Sequence, residues 1–94
     1  MTPIRVLIAD DQALVRGALA TLLGLESDLE VGAQVGRGDE VLEAVREHAV
    51  DVALVDIDMP GRDGLAATAE VVGSGLPCRC LIVTNFRRPR TGVP

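Results

Sequence analysis

Short apolar segments alternate with amphipathic segments along most of this chain. Ile4–Ala9 is a mostly apolar run that ends at Asp10 and Asp11, as expected of a strand buried on both faces. Gln12–Gly24 then carries an apolar stripe at helical spacing, formed by Leu14, Val15, Ala18, Leu19 and Leu22. Asp11 is placed to cap the first turn of this helix through its side-chain oxygen. The pattern therefore predicts a strand followed by a helix.

The same alternation continues to about residue 84. The remaining predicted elements are strands at Glu30–Val35, Asp51–Ile57 and Cys80–Thr84 and helices at Asp39–Glu47 and Asp63–Val72. We expect the inward-facing residues of these helices to be Val41, Leu42 and Val45 in the first and Leu65, Ala66 and Ala69 in the second. Strands joined by helices of about ten residues imply right-handed crossovers and a parallel sheet with both faces covered. The predicted fold class is therefore α/β, with a doubly wound parallel sheet.

Polar residues close three of the predicted strands. They are the pair Asp10 and Asp11, then Asp56, and then Thr84. Because the carboxyl ends of parallel strands share one edge of a sheet, we expect these side chains to meet there. Asp10 or Asp11 alone is more often a helix cap than a metal ligand, and Thr84 alone is an ordinary strand end. Asp56 differs, because an aspartate at the end of an apolar strand would be costly without a partner.

Carboxylates held this close repel one another, and a bound cation relieves the repulsion. Hard oxygen ligands with room for water suit Mg²⁺, which prefers one or two carboxylates together with water and phosphate oxygens. An aspartate beside such an ion can attack phosphorus and form an acyl phosphate. The pattern therefore favours phosphoryl chemistry at this edge of the sheet.

Composition narrows the classes of function. The 94 residues are enough for one domain, and a net charge of −5 with a pI near 4.6 argues against direct contact with nucleic acid. No apolar run approaches the roughly 18–20 residues of a membrane span, and no signal pattern precedes the first strand, so we expect a cytoplasmic protein. Cys78 and Cys80 are expected to be free thiols in a reducing compartment, with a disulfide or a metal site as the alternatives.

These motifs carry a family resemblance. Asp10 and Asp11 end the first predicted strand, Asp56 ends the third within the segment VDIDMPGRDG, and Thr84 ends the fourth. In this combination the sequence resembles the CheY-like receiver domains of response regulators. The segments IRVLIADDQALVRGALATLL and LIVTNF are similar to receivers of the NarL/LuxR class of transcriptional regulators. The resemblance covers residues 4 to about 86 and implies a flavodoxin-like sheet with strand order 2-1-3-4.

The resemblance implies a role for each matching acidic residue. Asp56 would be the phosphoacceptor, and it would bind Mg²⁺ directly together with Asp11. Asp10 would act mainly through a bound water molecule. Asp58 would offer its backbone carbonyl to the metal ion, and Thr84 would hydrogen-bond a phosphoryl oxygen and move on phosphorylation.

The resemblance also implies a loop and a set of partners. The loop after the phosphoacceptor would be shaped by Met59, Pro60, Gly61 and Gly64. Gly61 would allow a backbone turn that larger residues resist. The phosphoryl donor would be a histidine kinase, and a full-length parent would carry an output domain that binds DNA.

The sequence departs from the family's pattern near its end. Receivers of this family continue through a fourth helix, a fifth strand ending at a lysine, and a fifth helix, whereas all nine basic residues of this chain are arginine. Asn85 stands where the family usually has a small residue, and it would narrow the approach to Asp56. We expect a partial receiver domain at 1–86 and an irregular tail at 87–94, from a truncated or frame-shifted reading of a longer gene. An uncovered sheet edge would then favour self-association or low stability.

Two other interpretations stay open. The first is a degenerate receiver that binds partners, as a homodimer or otherwise, without being phosphorylated. The second is a phosphatase, because Asp56-Ile57-Asp58 after an apolar strand also resembles the nucleophile motif of haloacid-dehalogenase-like enzymes. The phosphatase interpretation gives no role to Asp10 and Asp11.

Overall fold

The computed structural model describes residues 2–83 of the chain. The predictions for Thr84, Asn85 and the tail at 87–94 lie outside the described residues, so the proposed boundary after residue 86 stays a prediction. The described elements, in chain order, are β1 (Ile4–Ala9), α1 (Ala13–Leu23), β2 (Leu29–Val35), α2 (Val41–Glu47), β3 (Val52–Asp56), α3 (Gly64–Ser74) and β4 (Arg79–Val83). None of the helices between residues 2 and 83 has the length and apolar character of a membrane span.

The four strands form one parallel sheet in the order β2-β1-β3-β4. The predicted α/β class and the predicted strand order are both confirmed. β1 lies inside the sheet, paired with β2 on one side and with β3 on the other. Its residues Leu7, Ile8 and Ala9 are each at most 1% exposed, which explains why this strand is apolar almost throughout.

One face of the sheet carries most of the aliphatic core. The buried cluster consists of Leu7, Ala9, Val41, Ala44, Val45, Val50, Ala53, Val55, Ala67 and Val71. The strands contribute alternate residues to this cluster, while α2 and α3 cover them from above. Full burial of one valine or leucine side chain contributes about 1.5–3 kcal/mol, so these two helices anchor the fold. The predicted stripe of α2 is confirmed, with Val41 and Val45 buried and Leu42 partly buried.

The opposite face of the sheet is covered less completely. No residue of α1 is buried, and Leu14 and Leu22 of its predicted inward stripe are 86% and 61% exposed. For these two leucines the prediction is wrong, because among the described helices α1 lies alone on this face and shields only part of its stripe. The helix begins one residue later than predicted, so its N-cap position falls at Gln12 rather than at Asp11. Gln12 makes no side-chain cap, and its amide donates to Asp10 Oδ1 at 2.9 Å.

The rotation of α3 about its axis differs from the prediction. The residues expected to face inward, Leu65, Ala66 and Ala69, are exposed. The residues that are buried instead are Gly64, Ala67 and Val71. Asp63 caps the helix by accepting the Ala66 amide at 2.8 Å, and a Cβ on Gly64 would overlap the carbonyl oxygen of Asp56. This close approach fixes which face of α3 points inward.

The other boundaries shift by one or two residues. The predicted helix at Asp39–Glu47 begins as a short 3-10 turn at Gly38–Glu40 and becomes α-helical at Val41. The third strand is trimmed by one residue at each end, and β4 begins one residue early. Such shifts are ordinary because sequence patterns specify the middle of an element better than its ends.

Gly38 joins the loops that follow β2 and β3. Its amide donates to the carbonyl oxygen of Pro60 at 3.0 Å, and a Cβ at this position would overlap the backbone carbonyl oxygen of Arg62. Gly73 lies in α3 and provides a contrast, because a Cβ there would meet nothing within 4 Å. An added methyl group should therefore destabilise the protein at position 38 and stabilise it at position 73.

We predict that Gly38→Ala lowers the free energy of unfolding by about 1–3 kcal/mol, because the two loops must separate to admit the methyl group. Gly73→Ala should raise it by about 0.5–1 kcal/mol, since alanine favours the helix interior. Urea unfolding followed by far-ultraviolet circular dichroism measures both. Wild-type stability in Gly38→Ala would show that the loops do not pack as described.

Candidate functional site

The acidic residues meet where β1 and β3 end. Ala9 pairs with Val55 in the parallel register, so the next residues along each strand, Asp10 and Asp56, lie side by side. One carboxylate oxygen from each of Asp10, Asp11 and Asp56 lies within 4.8 Å of the other two. The structure thus brings together the three residues that the sequence pattern placed at this edge.

The three carboxylates differ in exposure. Asp10 and Asp56 are 3% and 2% exposed, whereas Asp11 is exposed. Buried carboxylates are costly unless they are compensated by hydrogen bonds or by opposite charge. The cluster is therefore a pocket with a buried floor and an open side at Asp11, from which a ligand can approach.

Arg16 supports the floor of this pocket from α1. Its Nη1 donates to the backbone carbonyl oxygen of Asp10 at 2.6 Å, and its guanidinium also lies against Gly36. The sequence pattern does not predict this role for Arg16. The only hint of it in the sequence is that a basic residue follows Val15 in the helix after the acidic pair. Its function depends on the tertiary contact, which helical spacing alone does not specify.

The loop after Asp56 turns sharply beside the pocket. Gly61 has φ of +81°, which confirms that this position needs a conformation favouring glycine. The Gly64 amide donates to the carbonyl oxygen of Ile57 at 2.9 Å and closes the loop against β3. Asp58, two residues after Asp56, is exposed.

An exposed ion pair borders this loop. Arg37 Nε lies 3.0 Å from Asp39 Oδ1, and Nη2 lies 3.1 Å from Oδ2. The Arg37 hydrogen bond lowers the pKa of Asp39, and the same bond raises the pKa of Arg37. A Cβ on Gly61 would lie 2.6 Å from Asp39 Oδ1 and 2.7 Å from Arg37 Nη2. The pair is exposed to solvent, so its main effect is to hold the two loops in contact.

The carboxylate cluster fits a small divalent cation. Mg²⁺ binds oxygens at about 2.0–2.1 Å, so ligands on opposite sides of the ion stand about 4.2 Å apart. Oxygens that already lie within 4.8 Å of one another reach this geometry through small side-chain adjustments. Within residues 2–83, this is the one group of three or more such side chains close enough to share an ion.

The fourth strand ends beside the pocket as well. Val83, the last described residue, pairs with Asp56 in the register of β3 and β4. Thr84 follows it directly in the chain but lies outside the described residues. Its contact with a phosphoryl group therefore stays a prediction.

Comparison with known proteins gives a consistent result. The model of the response regulator receiver domain family matches residues 6–93. The chain is 41% identical over 86 residues to the transcriptional regulatory protein DesR of Bacillus subtilis, covering 92% of this chain and 42% of that protein. It is 39% identical over 83 residues to the oxygen regulatory protein NreC of Staphylococcus aureus, covering 87% and 38%. The chain thus spans about two fifths of the length of these curated relatives.

Solved structures agree with the sequence relatives. The signal receiver domain of NarL from Mycobacterium tuberculosis superposes with a TM-score of 0.87 at 34% identity, covering 95% of this chain and 72% of that one. A LuxR-family DNA-binding response regulator from Staphylococcus aureus gives a TM-score of 0.82 at 35% identity, covering 92% and 72%. The acidic cluster, the strand order and these relatives agree with the family match. The chain therefore belongs to the response regulator receiver domain family.

Proposed function

We propose that this receiver domain accepts a phosphoryl group on Asp56 in the presence of Mg²⁺ and signals through an output domain of a longer parent protein. The observation that carries the proposal is the cluster of three carboxylate oxygens within 4.8 Å of one another at the edge of the sheet. A group of carboxylates at the end of two strands suits Mg²⁺, and a bound Mg²⁺ assists phosphoryl transfer to a neighbouring aspartate.

The chemistry follows from the positions of the side chains. An Asp56 oxygen attacks the phosphorus of a phosphohistidine, an oxygen–phosphorus bond forms, and the nitrogen–phosphorus bond breaks. The imidazole leaves with the bonding electron pair and takes up a proton. A bound Mg²⁺ would offset the negative charge on the phosphoryl oxygens. Asp11 and Asp56 would hold the ion directly, Asp10 through water, and Asp58 through its backbone carbonyl.

A histidine kinase is the proposed donor, and the open side of the pocket suits such a protein. Leu14, 86% exposed, lies in the first turn of α1, three residues after Asp11, and offers an apolar contact to a partner protein. The net charge of −5 assigns any contact with DNA to a separate output domain. We propose a cytoplasmic location because kinase and output domain would both act there.

We predict that the chain, incubated with Mg²⁺ and acetyl phosphate, gains the mass of one phosphoryl group and that Asp56→Asn abolishes this gain. Intact-protein mass spectrometry makes the measurement. Asp51→Asn is the matched control, since Asp51 lies at the opposite end of β3 and binds the Arg5 amide. Continuous release of phosphate would favour the phosphatase, and absence of any adduct in the wild type would favour the degenerate receiver.

We also predict that Asp11→Asn weakens Mg²⁺ binding by at least about tenfold, because the ion loses a charged ligand on its open side. Asp58→Asn should change the affinity much less, since its proposed ligand is a backbone oxygen that the substitution keeps. Isothermal titration calorimetry with MgCl₂ compares the two variants. An equal loss of affinity in both would rule out the backbone assignment.

Self-association is a second proposal, and it rests on the edge of the sheet. Among the described strands, β4 pairs only with β3, and its Leu81 and Ile82 are 55% and 37% exposed. An open apolar edge strand is a template for pairing with another chain.

We predict that the apparent mass of the chain rises with concentration and that Leu81→Lys keeps the chain monomeric. Light scattering coupled to size-exclusion chromatography measures this. Leu25→Lys is the control, because Leu25 is 75% exposed but lies outside the sheet. A concentration-independent monomer in the wild type would contradict the proposal.

A further inference from the structure

Two cysteines stand at the start of β4, at the edge of the sheet away from the acidic pocket. Cys78 and Cys80 are free, and alternation along an extended chain points both side chains to the same face. Both are half-buried and pack against the core on the side of α2 and α3, while the intervening Arg79 is exposed. The chain therefore presents two sulfur atoms together on one side of an edge strand.

The two thiols are neighbours on this side of the strand. The Cys78 thiol donates a weak hydrogen bond to the carbonyl oxygen of Arg79 at 3.7 Å, and each cysteine affects the pKa of the other. The Thr68 hydroxyl of α3 lies beside Cys80. Its Oγ1 is buried without a hydrogen-bond partner of ordinary geometry among the described residues. Two soft sulfur atoms and one unsatisfied hydroxyl thus share a small region between β4 and α3.

Solvent reaches this region through an open groove. Cys78 lines a cavity of about 490 Å³ together with Asp51, Leu76 and Pro77. The Arg79 amide donates to the carbonyl oxygen of Asp51 at 3.0 Å, which marks this as the end of the sheet where β3 and β4 begin. A small ion can therefore approach Cys78 without opening the core and without passing the acidic pocket.

We propose that Cys78 and Cys80 form a two-coordinate site for a soft monovalent cation of the Cu(I) and Ag(I) class. Thiolate ligands select such ions, and these ions accept two ligands. Zinc is a poor fit because it takes four ligands, and within residues 2–83 no third histidine, cysteine or carboxylate joins the pair. Each thiol loses one proton, two sulfur–metal bonds form, and no electron is transferred.

A disulfide is the competing chemistry. Alternate residues on a strand place their Cα atoms about 6.6 Å apart. This lies near the upper end of the range of about 4.4–6.8 Å for disulfides, so geometry alone does not separate the two outcomes. Disulfide formation requires an oxidant, whereas binding of a monovalent ion between the sulfur atoms does not.

The protonation of the thiols gives the proposal a measurable signature. Burial, together with the neighbouring Cys80 and the carboxylate of Asp51, raises the pKa of Cys78 to about 11. Burial also raises the pKa of Cys80, and the neighbouring Cys78 and Thr68 side chains partly offset this rise. Both thiols are protonated near neutral pH, so binding of one metal ion by the two sulfur atoms must release two protons. The apparent association constant then rises about 100-fold for each unit of pH.

The test is an anaerobic titration of the reduced full chain with Cu(I), in competition with bicinchoninate, at several pH values between 6 and 8. We expect one ion per chain and a release of two protons. Cys78→Ser and Cys80→Ser should each lose at least about 100-fold in affinity, because one thiolate cannot complete the site. Titration with Ag(I) should give the same stoichiometry.

Two controls separate this site from the acidic pocket and from misfolding. Asp11→Asn should bind Cu(I) as the wild type does, and Cys78→Ser should still gain a phosphoryl group from acetyl phosphate. Proton release is measured on the wild type and needs no variant to fold. Three outcomes would each overturn the proposal. They are release of only one proton per ion, wild-type Cu(I) affinity in either serine variant, and formation of a disulfide by the reduced chain before the metal binds, seen as a mass loss of two hydrogens.

Discussion

The parallel pairing of β1 with β3 is the constraint on which the rest of the structure depends. In both strands the odd-numbered residues, such as Leu7 and Val55, enter the core beneath α2 and α3. The even-numbered Asp10 and Asp56 fall on the other face, side by side at the strand ends. A slip of one residue would turn the acids into the core and the valines out of it. Packing and chemistry therefore select the same register.

Loops complete what the sheet positions. Gly38 brings the loop after β2 against Pro60 in the loop after β3. The Arg37–Asp39 pair then lies against Gly61, and Gly64 approaches the Asp56 backbone too closely for any side chain. These contacts involve backbone atoms and an exposed ion pair, so they bury little apolar surface and mainly fix the positions of the two loops. The loops thus border the acidic cluster, while β1 and β3 position Asp10 and Asp56.

The order of the strands was implied by the family resemblance. The alternation of strands and helices and the acidic cluster were predictable from the chain itself, because they depend on local periodicity and on the rule that parallel strands end at one edge. The rotation of α3 was not, since it is set by the contact of Gly64 with Asp56, a tertiary feature. The N-cap position of α1 falls at Gln12, one residue after the predicted Asp11, and the Gln12 amide donates to Asp10. Arg16 was missed because its partner is a backbone carbonyl of another element.

The two faces of the sheet differ in how firmly they are held. α2 and α3 bury several aliphatic side chains, whereas α1 buries none. Local opening requires least free energy where few apolar contacts are lost, so the amides of α1 should exchange with solvent sooner than those of β1 and β3. Arg16 ties this labile helix to the Asp10 carbonyl. The acidic cluster thus lies between elements whose amides should exchange at different rates, and a ligand that bridges them should slow the exchange of the α1 amides.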